Sequence, residues 1–200
     1  MPPKMFFKKR LLISVLAGLV FSLTLVSNLF FKNSSQAASA NSPTSPLSEE
    51  INFPLPARLI IPKINVHANL ESVGLSTEGR IDAPEDPENA AWFNLGSRPG
   101  EAGSAVITGH SGWKDNKAAV FDNLHKLEKG DEIYVEDEEG VATTFVVREI
   151  KSYGRNEYVP EVFASSDGKA HLNLITCTGT WDSVRGTRSN RLVVFADKKI

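Results

Sequence analysis

Short strand-forming runs separated by turn-forming residues occupy the chain from about residue 58 to its end. Seven such runs are separated by segments that contain Gly, Pro, Asn or Asp: Arg58 to Ile61, Ala68 to Val73, Ser104 to Thr108, Glu132 to Val135, Thr143 to Ile150, His171 to Thr176 and Arg191 to Ala196. Glu138-Glu139-Gly140 predicts a hairpin turn between two of these runs, and only Ala118 to Leu127 predicts a helical turn or two. Many short strands with turns between them are typical of a sandwich or barrel. We therefore predict an all-β domain with minor helix.

The N-terminal segment has the composition of a membrane anchor. Lys4, Lys8, Lys9 and Arg10 precede an uncharged, mostly apolar run from Leu11 to Phe31. About 20 such residues span a bilayer as a helix, and the basic cluster before them keeps the N-terminus in the cytoplasm. We therefore predict a cytoplasmic tip and single-pass transmembrane helix over residues 1–32, with the rest of the chain outside the cell membrane. A cleaved signal peptide is the alternative, because Ala38-Ser39-Ala40 is an A-x-A site, and it exports the domain equally well.

Residues 33–53 are rich in Ser, Ala, Asn and Pro, which predicts a flexible linker ahead of a folded domain over residues 54–200.

The charge of the folded domain is negative. The chain has 22 basic and 24 acidic residues, and residues 1–50 hold five of the basic and two of the acidic ones. The remaining 17 basic and 22 acidic residues give a net charge of -5. This balance excludes nucleic-acid binding by the folded domain on charge grounds.

The chain contains one cysteine, so no intramolecular disulfide forms in a domain that we expect to face an oxidising exterior. Cys177 closes the run from Leu172 to Thr176 and is followed by Thr178-Gly179-Thr180, where we expect a buried strand to emerge into a loop. Rigid strand ends are suitable places to present a catalytic group. The alternative is a free cysteine buried as a small hydrophobic residue.

A thiol nucleophile needs a partner that increases its thiolate fraction and later protonates a leaving amine, and imidazole suits both tasks. His110 follows the apolar run Ala105 to Thr108 and is flanked by glycines, so we expect it to emerge from a strand as Cys177 does. The other histidines are less well placed. His67 lies in an early connection, His125 on the short helix, and His171 on the strand of Cys177 but about 20 Å away at strand rise.

A third group is needed to stabilise the oxyanion of a tetrahedral intermediate, and arginine supplies a rigid, permanently charged fork. Arg191 is expected to begin the last strand. Arg185 and Arg188, in the preceding loop, are alternatives, and a surface salt bridge is an ordinary role for any of the three. The sequence shows that each group can be presented, and leaves open whether they meet.

Three segments resemble the active-site segments of the sortases in order and spacing: Thr108-Gly109-His110, Leu174-Ile175-Thr176-Cys177 and Arg191-Leu192-Val193-Val194-Phe195-Ala196. Residues 58–64, 73–75 and 99–107 resemble framework segments of the family, so the resemblance covers roughly residues 54–200. The compact size and Thr178-Gly179-Thr180-Trp181 look most like class F, with class D as the alternative. The first Thr of the family's TLxTC pattern is Asn173 here, which departs from the pattern without touching the nucleophile.

The resemblance implies an eight-stranded β-barrel in which Cys177 is the nucleophile, His110 the acid/base and Arg191 the oxyanion and substrate ligand. It implies cleavage of an LPxTG-like sorting signal between Thr and Gly through a thioester, which an amine acceptor on the cell surface resolves. Thr176 is expected to contact the bound peptide. The implied partners are surface proteins with a C-terminal sorting signal and an amine of a peptidoglycan precursor or pilin.

We predict no metal or cofactor, because one cysteine and four scattered histidines show none of the close spacings of zinc sites. The acidic residues Glu85, Asp86 and Glu88 are interpreted as a solvated loop rather than as calcium ligands. Two other functions stay open. The first is a thiol peptidase that passes the acyl group to water, and the second is a catalytically silent barrel that binds surface ligands.

Overall fold

Eight β-strands close into a barrel in the computed structural model, which describes residues 53–114 and 117–200. The strands are β1 (Pro56–Ile61), β2 (Val66–Val73), β3 (Ala90–Phe93), β4 (Gly103–Gly109), β5 (Glu132–Asp137), β6 (Ala142–Gly154), β7 (Ala170–Asp182) and β8 (Thr187–Lys198). Their spatial order is β1-β2-β3-β4-β7-β8-β6-β5, and β5 pairs with β1. Closure gives every strand of the barrel two hydrogen-bonded neighbours. The predicted eight-stranded, all-β barrel is therefore confirmed.

The helical part of the domain is small, as predicted. The described residues contain no α-helix, and within the segment from Ala118 to Leu127 the helical part is a single 3-10 turn, Leu124–Lys126. The carboxylate of Asp122 accepts the backbone N–H groups of Gly112 and Ala119, at 2.6 and 2.9 Å, so this segment folds as successive turns rather than as a helix. Short 3-10 turns also occur at Pro62–Ile64 and Pro160–Val162.

The barrel strands around the site are apolar on both faces. On β7 and β8 the inward side chains Leu172, Leu174, Val194 and Ala196 join the main core. The alternate residues Val193 and Phe195 pack outside the barrel with Val162, which belongs to the connection between β6 and β7. Side chains alternate between the two faces of a strand, so each residue's face is determined by its position. The outer face of β7 and β8 is covered by this connection, which explains the continuous apolar sequence of β8.

The pairing of β4, β7 and β8 brings distant parts of the sequence together. β4 is parallel to β7, with Thr108 beside Ile175, and β7 is antiparallel to β8, with Cys177 beside Arg191. The expectation that Cys177 emerges into a loop was wrong, because β7 continues to Asp182. The two strands keep hydrogen bonding to each other beyond the barrel, as a hairpin whose side chains are mostly not buried.

The predicted anchor over residues 1–32 and nearly all of the predicted linker over residues 33–53 lie outside the described residues. Within the part that is described, no helix is long and apolar enough to cross a membrane.

Candidate active site

Strand alternation places the three predicted catalytic residues on the same, outer face of the barrel. Ala105 and Ile107 of β4 point into the core, so His110, which follows the strand, continues the opposite face. Leu174 of β7 also points into the core, so Cys177, three positions later, lies on the opposite, outer face. Arg191 shares the face of Val193 and is the register partner of Cys177. The thiol, the imidazole and the guanidinium therefore belong to one surface.

A cavity of about 790 Å³ opens on this face and is lined by His110, Cys177 and Arg191 together. One wall is apolar and consists of the outer cluster, with Ile175, Val193 and the β6–β7 residues Val159, Val162 and Phe163. Cys177 is half-buried and is a free thiol. The site therefore offers a half-buried sulfur beside an apolar surface.

His110 is held by a backbone carbonyl and an aromatic ring. Its Nε2 lies 2.9 Å from the carbonyl oxygen of Pro84, and its ring centroid lies 4.6 Å from that of Trp113 at an interplanar angle of 57°. A carbonyl oxygen only accepts, so Nε2 carries a hydrogen in this arrangement and donates it. The other nitrogen, Nδ1, is left to gain and lose a proton, which is what an acid/base group requires.

The carbonyl of Pro84 is positioned by Glu71, a residue that the sequence analysis did not identify. The Glu71 carboxylate accepts the N–H of Glu85 at 2.9 Å and the side-chain amide of Asn89 at 2.9 Å. Desolvation opposes ionisation of Glu71, but these hydrogen bonds outweigh it and hold its pKa below the ordinary value. Glu71 thus fixes the loop whose carbonyl orients His110. No local motif marks this role, because the contact joins β2 to a loop 14 residues later.

The guanidinium of Arg191 is tied to its own hairpin. Nη1 donates to the carbonyl oxygens of Asn190 at 2.9 Å and Arg188 at 3.2 Å, and Nη2 donates to the Thr187 hydroxyl at 3.3 Å. A guanidinium has five N–H donors, so these three bonds fix its orientation without using all of them. The group is therefore held in one orientation, with N–H donors that these bonds do not use.

Thr176, which the resemblance assigns to substrate contact, is 4% exposed, and its hydroxyl donates to the carbonyl oxygen of Gly109 at 2.8 Å. This bond joins the residue before Cys177 to the residue before His110. The predicted peptide contact stays a prediction, and the structure adds a second role, which is to connect the two strands that carry the thiol and the imidazole.

The remaining histidines lie elsewhere. His171 lies at the start of β7, about 20 Å from Cys177 by strand rise, and contacts Asp167 and Asp197 at 3.0 and 2.8 Å. His67 and His125 are exposed residues of β2 and of the 3-10 turn Leu124–Lys126. None of the three lines the cavity that holds Cys177.

A closed barrel that presents a thiol, an imidazole and a guanidinium on one cavity wall defines a thiol-dependent acyl-transfer enzyme as the class. The family comparison agrees with that class: residues 59–199 match the family model for the sortase domain. The chain belongs to the sortase family, and it is a cysteine transpeptidase.

Solved structures of sortases are similar to this chain. Sortase A from Corynebacterium diphtheriae, a lid mutant, is 28% identical with a TM-score of 0.57, over 76% of this chain and 74% of that one. Sortase C-1 from Actinomyces oris is also 28% identical with a TM-score of 0.57, over 72% and 73%. Sortase C1 from Streptococcus agalactiae, in complex with MTSET, is 26% identical with a TM-score of 0.55, over 72% and 67%. A search of curated protein sequences gave no match.

Proposed function

We propose that the chain cleaves an LPxTG-like sorting signal between Thr and Gly and joins the threonine carbonyl to an amine acceptor on the cell surface. The observation that carries this proposal is the shared outer-face cavity, in which Cys177 and Arg191 are register partners and His110 follows the neighbouring parallel strand. The apolar wall beside the thiol suits the Leu-Pro part of such a signal.

The chemistry divides into two half-reactions. In the first, the Cys177 sulfur bonds to the threonine carbonyl carbon, the carbon–nitrogen bond to glycine breaks, and the His110 imidazolium gives its proton to the leaving amine. In the second, the acceptor amine bonds to the same carbon, the carbon–sulfur bond breaks, and His110 takes a proton from the amine. Arg191 stabilises the oxyanion in both steps. Proton transfer through Nδ1 agrees with the bond that Nε2 makes to Pro84.

The test is incubation of the full chain in detergent with an LPxTG-type peptide and triglycine, with products followed by mass spectrometry. We expect a peptide-triglycine adduct through threonine in the wild type and none in Cys177→Ala. His110→Gln should reduce the rate by about 10²- to 10⁴-fold, whereas the exposed His67→Gln, a matched control, should not. Absence of a thioester and an adduct with several motif variants would refute the proposal.

The same experiment separates the two other functions. A thiol peptidase gives free threonine carboxylate at the same rate with and without triglycine. A silent barrel gives neither product, and its Cys177 resists alkylation in the folded state. Because Cys177 is the only cysteine, incorporated label reports on this thiol alone. A transpeptidase should be alkylated at Cys177 and lose activity in proportion.

We further propose that the domain is tethered outside the cell membrane by residues 1–32 and that it is of the class F-like kind, with class D as the alternative. The basic cluster followed by the apolar run from Leu11 to Phe31 supports the tether. Partition of the full chain into membranes at its unprocessed mass supports an anchor. A mass equal to that of a chain that begins after Ala40 indicates a cleaved signal peptide instead.

A further inference from the structure

A second cavity, of about 250 Å³, lies beside the first and is lined by three arginines, Arg155, Arg185 and Arg188. Asp182 is the acidic residue of its lining, so three positive charges face one negative charge. The contrast with the rest of the domain is strong, since residues 51–200 hold 17 basic and 22 acidic residues. This volume is far above the roughly 10–15 Å³ that a cavity needs to hold one water molecule, so a carboxylate or phosphate group has room to enter.

Arg185 and Arg188 are oriented by the β7–β8 hairpin that carries them. Arg185 Nη1 donates to the Asp182 carboxylate at 2.8 Å, and this bond is the first cause that holds the pKa of Asp182 below its ordinary value. Arg188 Nη1 donates to the carbonyl oxygen of Gly179 at 3.0 Å. The backbone N–H of Arg155 donates to Ser189, at 3.0 Å, which ties the β6–β7 connection to β8. One arginine is therefore neutralised by Asp182, and a net positive charge is left for a ligand.

The two cavities are neighbours and share the lining residues Arg155, Asn156 and Arg185. A group bound in the arginine-lined cavity therefore lies next to the cavity of the thiol. The two differ in character: the wall beside Cys177 has the apolar cluster of Val159, Val162 and Val193, and the arginine-lined cavity is polar. The apolar wall and the polar cavity are thus neighbouring surfaces of different chemistry.

We propose that Arg155, Arg185 and Arg188 form an anion-binding subsite that takes a carboxylate or phosphate carried by the amine acceptor. This inference rests on the proposed transpeptidase function. Guanidinium groups match both oxyanions with paired hydrogen bonds. Positive charge near the amine also disfavours its ammonium form and so increases the fraction that attacks the thioester. No such benefit applies to the sorting peptide, whose reacting group is a neutral amide.

The test uses acceptor pairs that share an amine and differ in charge: triglycine against triglycinamide for carboxylate, and 2-aminoethyl phosphate against ethanolamine for phosphate. With the full chain in detergent, we expect the anionic member of at least one pair to have a KM about tenfold lower, the effect of about one charge-assisted hydrogen bond. Arg155→Gln and Arg185→Gln should each reduce this preference several-fold. Arg58→Gln, on β1 and paired with Glu136, is the matched control and should keep it.

Binding is measured separately, by calorimetric titration of the full chain carrying Cys177→Ala with inorganic pyrophosphate. We expect the affinity to fall in both arginine variants and at high salt. Three results would overturn the subsite: equal KM values within both acceptor pairs, a preference that survives both substitutions, or a change confined to the peptide KM. In each case, adduct formation with triglycinamide would show that the transpeptidase function still holds. If no amine forms an adduct, the transpeptidase fails, and pyrophosphate binding that is unchanged in the variants overturns the subsite independently.

Discussion

Replacement of Thr176 by valine removes one hydrogen bond at the junction of the two strands that carry the site. Valine keeps the shape and the β-branch of threonine, so the strand and its packing are preserved. The loss is the 2.8 Å bond from the Thr176 hydroxyl to the carbonyl oxygen of Gly109. A buried bond of this kind contributes about 1 kcal/mol net, and up to about 3 kcal/mol where its partner is left unsatisfied. For a domain of this size, each kcal/mol lowers Tm by about 2–4 °C.

Activity should fall further than stability alone explains. The bond connects the residue before Cys177 to the residue before His110, and a misplacement of about 1 Å between reacting groups costs on the order of 10²-fold in rate. We expect Thr176→Val to lower kcat by at least about tenfold and to change the peptide KM by less than about threefold. The assays are steady-state transpeptidation kinetics and thermal unfolding of the same preparations.

Thr176→Ser is the matched control, because it keeps the hydroxyl and deletes a buried methyl group. It should lose a similar stability, about 1 kcal/mol, and retain most of kcat. A serine variant that loses as much kcat as the valine variant would refute the reasoning, since packing would then be the cause. A rise in peptide KM with unchanged kcat in Thr176→Val would instead support the substrate contact that the family resemblance implies.

Three further substitutions test other parts of the structure. Gly109→Ala places a methyl group 2.5 Å from a ring carbon of Phe121, so we expect a loss of about 1–3 kcal/mol in urea unfolding; an unchanged midpoint would contradict this close packing. Hydrogen bonding to His171 is the first cause that holds the pKa of Asp167 far below its ordinary 3.8. The unfolded chain therefore binds more protons than the folded chain at acidic pH, and the free energy of unfolding should fall as pH drops below about 4. Asp167→Asn should lessen this fall, which is measured by unfolding at pH 7 and at pH 3. Glu71→Gln places an amide against the loop N–H groups whose hydrogen bonds the Glu71 carboxylate accepts, so kcat should fall with little change in KM. A rise in KM as large as the fall in kcat would contradict a positioning role.

Strand prediction succeeded wherever alternation or an apolar run was bounded by turn residues, and it failed where those signals are missing. β3, Ala90–Phe93, is four residues long, and three of them are buried, so it shows no alternation. The segment before Leu127 has buried residues at Phe121 and Leu124, a spacing of three that resembles a helix. Its turns depend on the carboxylate of Asp122, a tertiary effect that local sequence does not encode.

The candidate site was predicted by residue type and position, whereas its convergence depends on strand pairing. β4 and β7 are 60 residues or more apart in sequence, and only their parallel pairing brings Thr108 beside Ile175. The arginine-lined cavity was missed for the same reason. Arg155 belongs to the β6–β7 connection, and it meets Arg185 only because β6 and β7 both pair with β8.

Asn173 shows how a departure from the family pattern acts on the site. It occupies an outward position of β7, where its Nδ2 donates to the carbonyl oxygen of Val162 at 2.7 Å. Its Oδ1 is buried without a hydrogen-bond partner among the described residues, which costs about 1–3 kcal/mol. An amide side chain is one atom longer than that of threonine and carries its donor farther from the strand. Asn173 therefore tethers the turn Pro160–Val162, and with it the apolar wall of the cavity, while Cys177 keeps its place. We therefore predict that the departure changes which peptide the proposed site accepts, and not whether the thiol reacts.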